Sequence, residues 1–196
     1  LRVLSYSSMS GPHLRLMLDW AQRNMLSSNP KRIARALQQG VFSWYVYLFN
    51  LPTLPEFMFK TFGQRIWRSL LSHNGVNEGD TYLAANQQDV EKICLNTLNL
   101  YRHNPLNPPD LPDKMSIQVP VQILIPRQDR FVSTTLFEFY DEYVVSLERC
   151  YIDGKHWAHH SHKDQFNRQV RQFVNLHDKV IKRLGTKHTQ IKKVSA

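Results

Sequence analysis

Two ionisable residues stand where a parallel sheet would carry chemistry. Asp129 lies in the polar loop Arg127-Gln128-Asp129-Arg130, just past a nearly all-apolar run over 119–126. His156 lies in Asp153-Gly154-Lys155-His156, just past a second β-prone run over 147–152. Open parallel sheets hold their sites at the carboxyl ends of their strands. If the two runs are neighbouring strands, a carboxylate and an imidazole meet at one sheet edge. A carboxylate that orients an imidazole, with the imidazole as base, is the acid-and-base part of a nucleophile–His–acid triad. An Asp in a strand exit also makes Asx-turns, and a lone His is commonly structural. The pair, in the chain order acid then His, is what points to catalysis.

The elements that must position this pair follow from the apolar pattern. The run over 119–126 reads as a strand buried on both faces, and residues 1–10 alternate in a β-prone way until Gly11-Pro12 breaks them. Ser133 is a candidate N-cap for a helix over 133–144, and 164–176 is an amphipathic helix with Phe166, Val170, Phe173 and Val174 inward. Strand, helix, strand, helix at this spacing implies parallel strands joined by a right-handed crossover. Between the first two strands, helical periodicity predicts helices over 13–28, over 30–48 with Pro30 in its first turn, over 57–71 and over 87–102. Pro52 and Pro55 separate two of them, 74–80 is a loop, and Pro105, Pro108, Pro109 and Pro112 make a long connection. The expected fold class is α/β: three parallel strands with an all-helical insertion. The expected division is 1–12 as first strand and exit, 13–115 as the helical unit, 116–176 as the remaining strands and helices, and 177–196 as a basic tail or linker.

Composition bounds the function classes. The chain has 196 residues and a net charge of +9, with four Trp, eight Tyr and ten Phe, which argues for a folded domain rather than a disordered one. Its longest apolar run, over 44–49, falls far short of the roughly 20 residues a bilayer span needs. Residues 177–196 contribute +5 of the +9. No aromatic residues interleave with those basic ones, so nucleic acid is not expected as a partner. Cys94 and Cys150 form neither a disulfide framework nor a zinc spacing, and a reducing cytoplasm is the expected location. His156, His159, His160 and His162 crowd one short loop without a nearby Cys, so no metal site is assigned to them.

The motifs resemble the second half of an α/β-hydrolase, and within that fold the epoxide hydrolases and their haloalkane dehalogenase relatives. Ser8-Met9-Ser10-Gly11-Pro12 looks like the strand after the nucleophile helix. Arg127-Gln128-Asp129-Arg130-Phe131-Val132 looks like the acid loop, and Gly154-Lys155-His156-Trp157 like the histidine loop, with Lys155 inserted where Gly-His is usual. The resemblance makes the helical insertion a cap over the site. Tyr45-Val46-Tyr47-Leu48-Phe49-Asn50-Leu51-Pro52-Thr53-Leu54-Pro55-Glu56 and Leu98-Asn99-Leu100-Tyr101-Arg102-His103-Asn104 are similar to the two cap segments whose tyrosines hydrogen-bond the epoxide oxygen. It thereby implies Asp129, His156, Tyr45 and Tyr101 as catalytic. The apolar cap residues Trp44, Phe49, Phe57 and Trp67 suggest an apolar pocket, and Trp44, Phe49 and Trp157 are the candidates to line a substrate site. The resemblance implies no metal or organic cofactor, and a small apolar substrate such as an epoxide.

One departure is large. No Gly-x-Asp-x-Gly or Gly-x-Ser-x-Gly elbow occurs among the seven glycines; Gly75 and Gly79 bracket only Asn77. With Leu at position 1, inside a strand pattern, the expectation is a truncated or processed chain that lacks the N-terminal half of the hydrolase domain and is inactive alone, its exposed sheet edge favouring a homodimer. The alternatives are an esterase-like enzyme with a Ser nucleophile and a non-catalytic module that binds a small ligand or a partner. Some relatives in the resembled group carry a C-terminal short-chain dehydrogenase domain, for which the basic stretch would be the linker.

Overall fold

Three strands, β1 (Tyr6–Met9), β2 (Val121–Pro126) and β3 (Leu147–Ile152), form a parallel sheet in the order β1-β2-β3. The computed structural model describes residues 3–104, 107–111 and 113–194, with side chains to 178. Tyr6 stands opposite Val121, and Val121 opposite Leu147. β2 is buried at every position because both of its faces are covered. Val121, Ile123 and Ile125 pack with Trp20 and Leu16 from the helix α1 (Leu14–Met25), with Ala36 from α2 (Pro30–Phe42), and with Leu136, Phe137 and Val144. Leu124 packs on the other face with Cys150, Ile152 and Ala158, flanked by Met9, Phe166 and Val170. Gln122 is the polar exception in this strand. Its amide accepts from Ser7 Oγ at 3.1 Å and donates to Glu148 Oε1 at 3.0 Å and to the Gln169 carbonyl at 3.3 Å. A buried amide left unpaired would cost about 1–3 kcal/mol, so these partners are what make the position tolerable.

β1 is shorter than the β-prone stretch 1–10 that contains it, of which Leu1 and Arg2 lie outside the described residues. Its ladder starts where Tyr6 N–H donates to the Pro120 carbonyl. Pro120 has no N–H to return, so the ladder does not extend backwards. The predicted helix over 30–48 is two helices, α2 and α3 (Trp44–Phe49), broken at Ser43. The apolar spacing runs on across that break, which is why periodicity alone missed it. α4 (Leu54–His73) starts before the predicted Phe57 because Pro55 occupies its first turn, where a missing N–H costs nothing. α5 spans Gln87–His103. Gln87 ties these two helices, its amide donating to the Phe59 carbonyl and accepting from Gln64 N–H, both at 2.8 Å.

The predicted α-helix over 133–144 is a 3₁₀ segment, Thr134–Glu142. Ser133 does precede it, but its Oγ pairs with Thr135 Oγ1 at 3.1 Å and caps no backbone N–H. After the short α6 (Ala158–Ser161), α7 (Lys163–Val194) continues well beyond Leu176. The backbone of the predicted tail is therefore helical to Val194, while the side chains from Lys179 onward lie outside the described residues. Among the described residues, no helix is long and apolar enough to cross a membrane.

Candidate active site

The exits of β2 and β3 are stitched to each other, and this brings the predicted acid and base together. Arg127 N–H donates to the Ile152 carbonyl at 2.8 Å and Gln128 N–H to the Gly154 carbonyl at 3.0 Å. One residue beyond Gln128, Asp129 turns its side chain inward, fully buried, and its Oδ2 meets His156 Nδ1 at 2.8 Å. Its Oδ1 accepts from Phe131 N–H at 2.8 Å and Val132 N–H at 3.0 Å. An ionised carboxylate accepts only, so facing it His156 carries its proton on Nδ1, leaving Nε2 as the nitrogen that can take a proton. His156 remains 25% exposed at its side chain, enough to meet a solute from one side.

Gly154 permits this geometry. A Cβ there would lie 2.8 Å from His162 Nδ1 and 2.9 Å from Ala158 Cβ, inside contact distance. The absence of a side chain lets α6 close against the strand exit. Lys155, the residue inserted between Gly154 and His156, reaches away from the pair and donates from Nζ to the His73 carbonyl at 2.7 Å, near the end of α4. A lysine at a helix C-terminus satisfies a free carbonyl and complements the dipole.

Tyr45 and Phe49 on α3 meet Tyr101 on α5, with ring centroids 5.6 Å apart for Tyr45–Tyr101 and 5.1 Å for Phe49–Tyr101. Burial pushes the Tyr45 phenol well above its ordinary value, with Tyr101 and the Asp129 charge adding to the rise. Burial also raises Tyr101. Both hydroxyls are therefore neutral donors at physiological pH. Phe131 connects them to His156: its ring lies edge-on to Tyr45 at 5.4 Å, to His156 at 5.0 Å and to Trp157 at 5.9 Å. Trp157 packs on His156 at 4.8 Å. Six of the seven singled-out residues thus form one connected cluster. Trp44 does not join it: it is 58% exposed, because α3 turns Tyr45 rather than Trp44 inward.

Other contacts here had no signature in the sequence. Gln39, a buried amide on α2, donates to the Phe131 carbonyl and accepts from Ser133 N–H. Asp80 pairs with His160 Nδ1 at 2.8 Å, and the Asn74 backbone carbonyl accepts from Trp157 N–H at 2.9 Å, so the loop after α4 is held against the histidine loop. The Tyr82 N–H and then His160 hold the Asp80 carboxyl below its usual range. His159 is lowered by burial and by the neighbouring His160. His162 pairs with Ser161 Oγ at 2.9 Å. His156, His160 and His162 therefore turn to three different partners, while His159 Nδ1 is buried without a hydrogen-bond partner among the described residues and its ring packs on His160. Only the pairing of a polar residue with a loop far away in sequence would have marked these contacts, and single-chain spacing carries no such information.

No protein-family model and no curated protein matches this sequence. Solved structures do match it. It superposes on the epoxide hydrolase of Bacillus megaterium, solved with an inhibitor, with a TM-score of 0.61 and 18% identity over 88% of this chain and 61% of that one. An epoxide hydrolase of the α/β-hydrolase superfamily from hot-environment metagenomes gives a TM-score of 0.61, 19% identity and coverage of 89% and 60%. A putative acyltransferase of Salmonella enterica gives 0.58, 14% identity and coverage of 89% and 56%. The chain spans only about 60% of the length of the epoxide hydrolase structures it matches. It has the fold of the C-terminal part of an α/β-hydrolase, with a helical cap.

Proposed function

We propose that this chain supplies the acid, the base and the oxygen-polarising tyrosines of an epoxide-opening hydrolase. The observation that carries the reading is the buried Asp129–His156 pair at 2.8 Å, joined through Phe131 to two tyrosines that burial keeps protonated. The epoxide hydrolase structures of the same fold support it.

In this reading a carboxylate nucleophile attacks one epoxide carbon while Tyr45 and Tyr101 donate to the ring oxygen. As the C–O bond breaks, negative charge grows on that oxygen, and a tyrosine proton neutralises it. The product of this half-reaction is an alkyl–enzyme ester. His156 Nε2 then takes a proton from water, and the resulting hydroxide attacks the ester carbonyl. Asp129 stabilises the imidazolium and never needs to accept its proton. The vicinal diol leaves, and the imidazolium proton restores the tyrosine. The nucleophile is the one part these 196 residues do not contain in its usual motif; the proposal assigns it to a segment outside them.

The test is turnover by the protein purified from its native source, with an aryl glycidyl ether as substrate and diol as the product measured. Diol formation supports the reading, and no turnover overturns it. The similarity to a putative acyltransferase favours a second reading, acyl-ester chemistry with a hydroxyl nucleophile. Hydrolysis of an activated aryl ester without any epoxide opening would select that one.

A further inference from the structure

We propose that Gln39 is a positioning residue that couples the cap to the acid–base pair. Its functional meaning rests on the hydrolase reading; its geometry does not. Gln39 lies on α2 and is 6% exposed. Its Nε2 donates to the Phe131 carbonyl at 2.8 Å and to Ser43 Oγ at 3.1 Å, and its Oε1 accepts from Ser133 N–H at 2.9 Å. The amide can sit only one way round, because a backbone carbonyl faces one end and a backbone N–H the other.

The loop 129–133 is thus gripped twice. Asp129 Oδ1 takes the N–H groups of Phe131 and Val132, and Gln39 takes the Phe131 carbonyl and the Ser133 N–H. The third Gln39 bond goes to Ser43, the break between α2 and α3, two residues before Tyr45. Phe131 touches both Tyr45 and His156. One amide therefore fixes the acid loop relative to the helix that carries the cap tyrosine. Losing it frees Phe131 and so shifts both halves of the machinery relative to each other. The residue bonds to Ser43, Phe131 and Ser133 rather than to His156, and acts through the loop.

Amide hydrogen exchange with NMR detection on the full-length protein tests the idea without turnover. Gln39→Leu keeps the volume and removes all three bonds. The expected result is a fall of about tenfold or more in protection at Phe131, Val132 and Ser133, with Ile123 and Ile125 in β2 changed by less than about twofold. The His156 Nδ1 proton resonance should broaden. Gln39→Glu still accepts from Ser133 N–H but sets a carboxylate against the Phe131 carbonyl. Ser133 should then keep its protection while Phe131 and Val132 lose theirs. That split is the decisive result if the Leu variant fails to fold, and a residue that merely fills space would not produce it. Unchanged protection at all three amides, or an equal fall that includes β2, overturns the inference. The expected pattern in a protein that opens no epoxide leaves the positioning role standing and removes the hydrolase reading. In an active protein, Gln39→Leu should lower kcat about tenfold with KM moved less than about twofold.

Discussion

Asp129 does two jobs with two oxygens, and the jobs can be separated. Oδ1 holds the Phe131 and Val132 N–H groups, and Oδ2 holds His156. Asp129→Asn retains the first. The amide oxygen must face the two backbone donors, since the amide nitrogen cannot accept, and the NH₂ group then faces His156 Nδ1. The imidazole has to accept there, which moves its proton to Nε2 and removes the base. One charge-assisted hydrogen bond, worth about 1.5–3 kcal/mol, becomes a neutral one worth about 0.5–1.5 kcal/mol, a loss of about 1–2 kcal/mol. Asp129→Ala also orphans both buried N–H groups, at about 1–3 kcal/mol each, for a total of about 3–5 kcal/mol after relaxation. The two variants should differ by about 2–3 kcal/mol, or about 4–12 °C in Tm for a domain of this size. Thermal melts and urea titrations read the difference. In a turnover assay, Asp129→Asn should lose about 10²–10⁴ in rate, the usual scale of a general base. Equal destabilisation by Asn and Ala would refute the division of labour, and an Asn variant with native turnover would refute the role of the pair.

The other predictions draw on separate contacts. Tyr45→Phe and Tyr101→Phe should each keep the fold, judged by circular dichroism, while epoxide opening falls about 10²–10³-fold, as when one oxyanion donor is removed. Gly154→Ala should destabilise by about 1–3 kcal/mol in urea titration, because its methyl group would meet His162 and Ala158 at under 3 Å. Glu142 takes hydrogen bonds from Arg23 and Lys114, which lower its carboxyl to about 2. A carboxyl depressed in the folded state stabilises above its unfolded value of about 4.3, and that contribution is lost as pH falls through the folded value. Glu142→Gln should therefore lower Tm at pH 6, and its Tm should converge with that of the wild type as pH approaches 2. A constant offset across that window would contradict the assignment.

The sheet was legible because β2 and β3 end in loops with polar, turn-forming residues and β2 is apolar on both faces, a pattern few other elements produce. The pairing of Asp129 with His156 is legible on one condition, that the two runs are neighbouring strands; the order β1-β2-β3 meets it and puts both exits on one edge. The tyrosines were found by motif, and no periodicity would have separated Tyr45 from its neighbour Tyr47, which is 66% exposed. The apolar character of Trp44 points to a substrate site, whereas on α3 its side chain is exposed and stands apart from the cluster around His156. At the break between α2 and α3, Ser43 Oγ accepts from Gln39, whose other partners, Phe131 and Ser133, lie 92 and 94 positions away. Gln39 and Asp80 are invisible for the same reason: each is an ordinary polar residue until the fold supplies its distant partner.

The central claim is that His156, oriented by Asp129, activates water against an ester formed on the enzyme. Intact-mass analysis of a His156→Gln variant of the protein from its native source, mixed with one aryl glycidyl ether, tests it most directly. The claim predicts a stable adduct heavier by the mass of the epoxide, formed stoichiometrically and without diol release. Diol release at the wild-type rate, or no adduct under conditions where the wild type turns over, would contradict it.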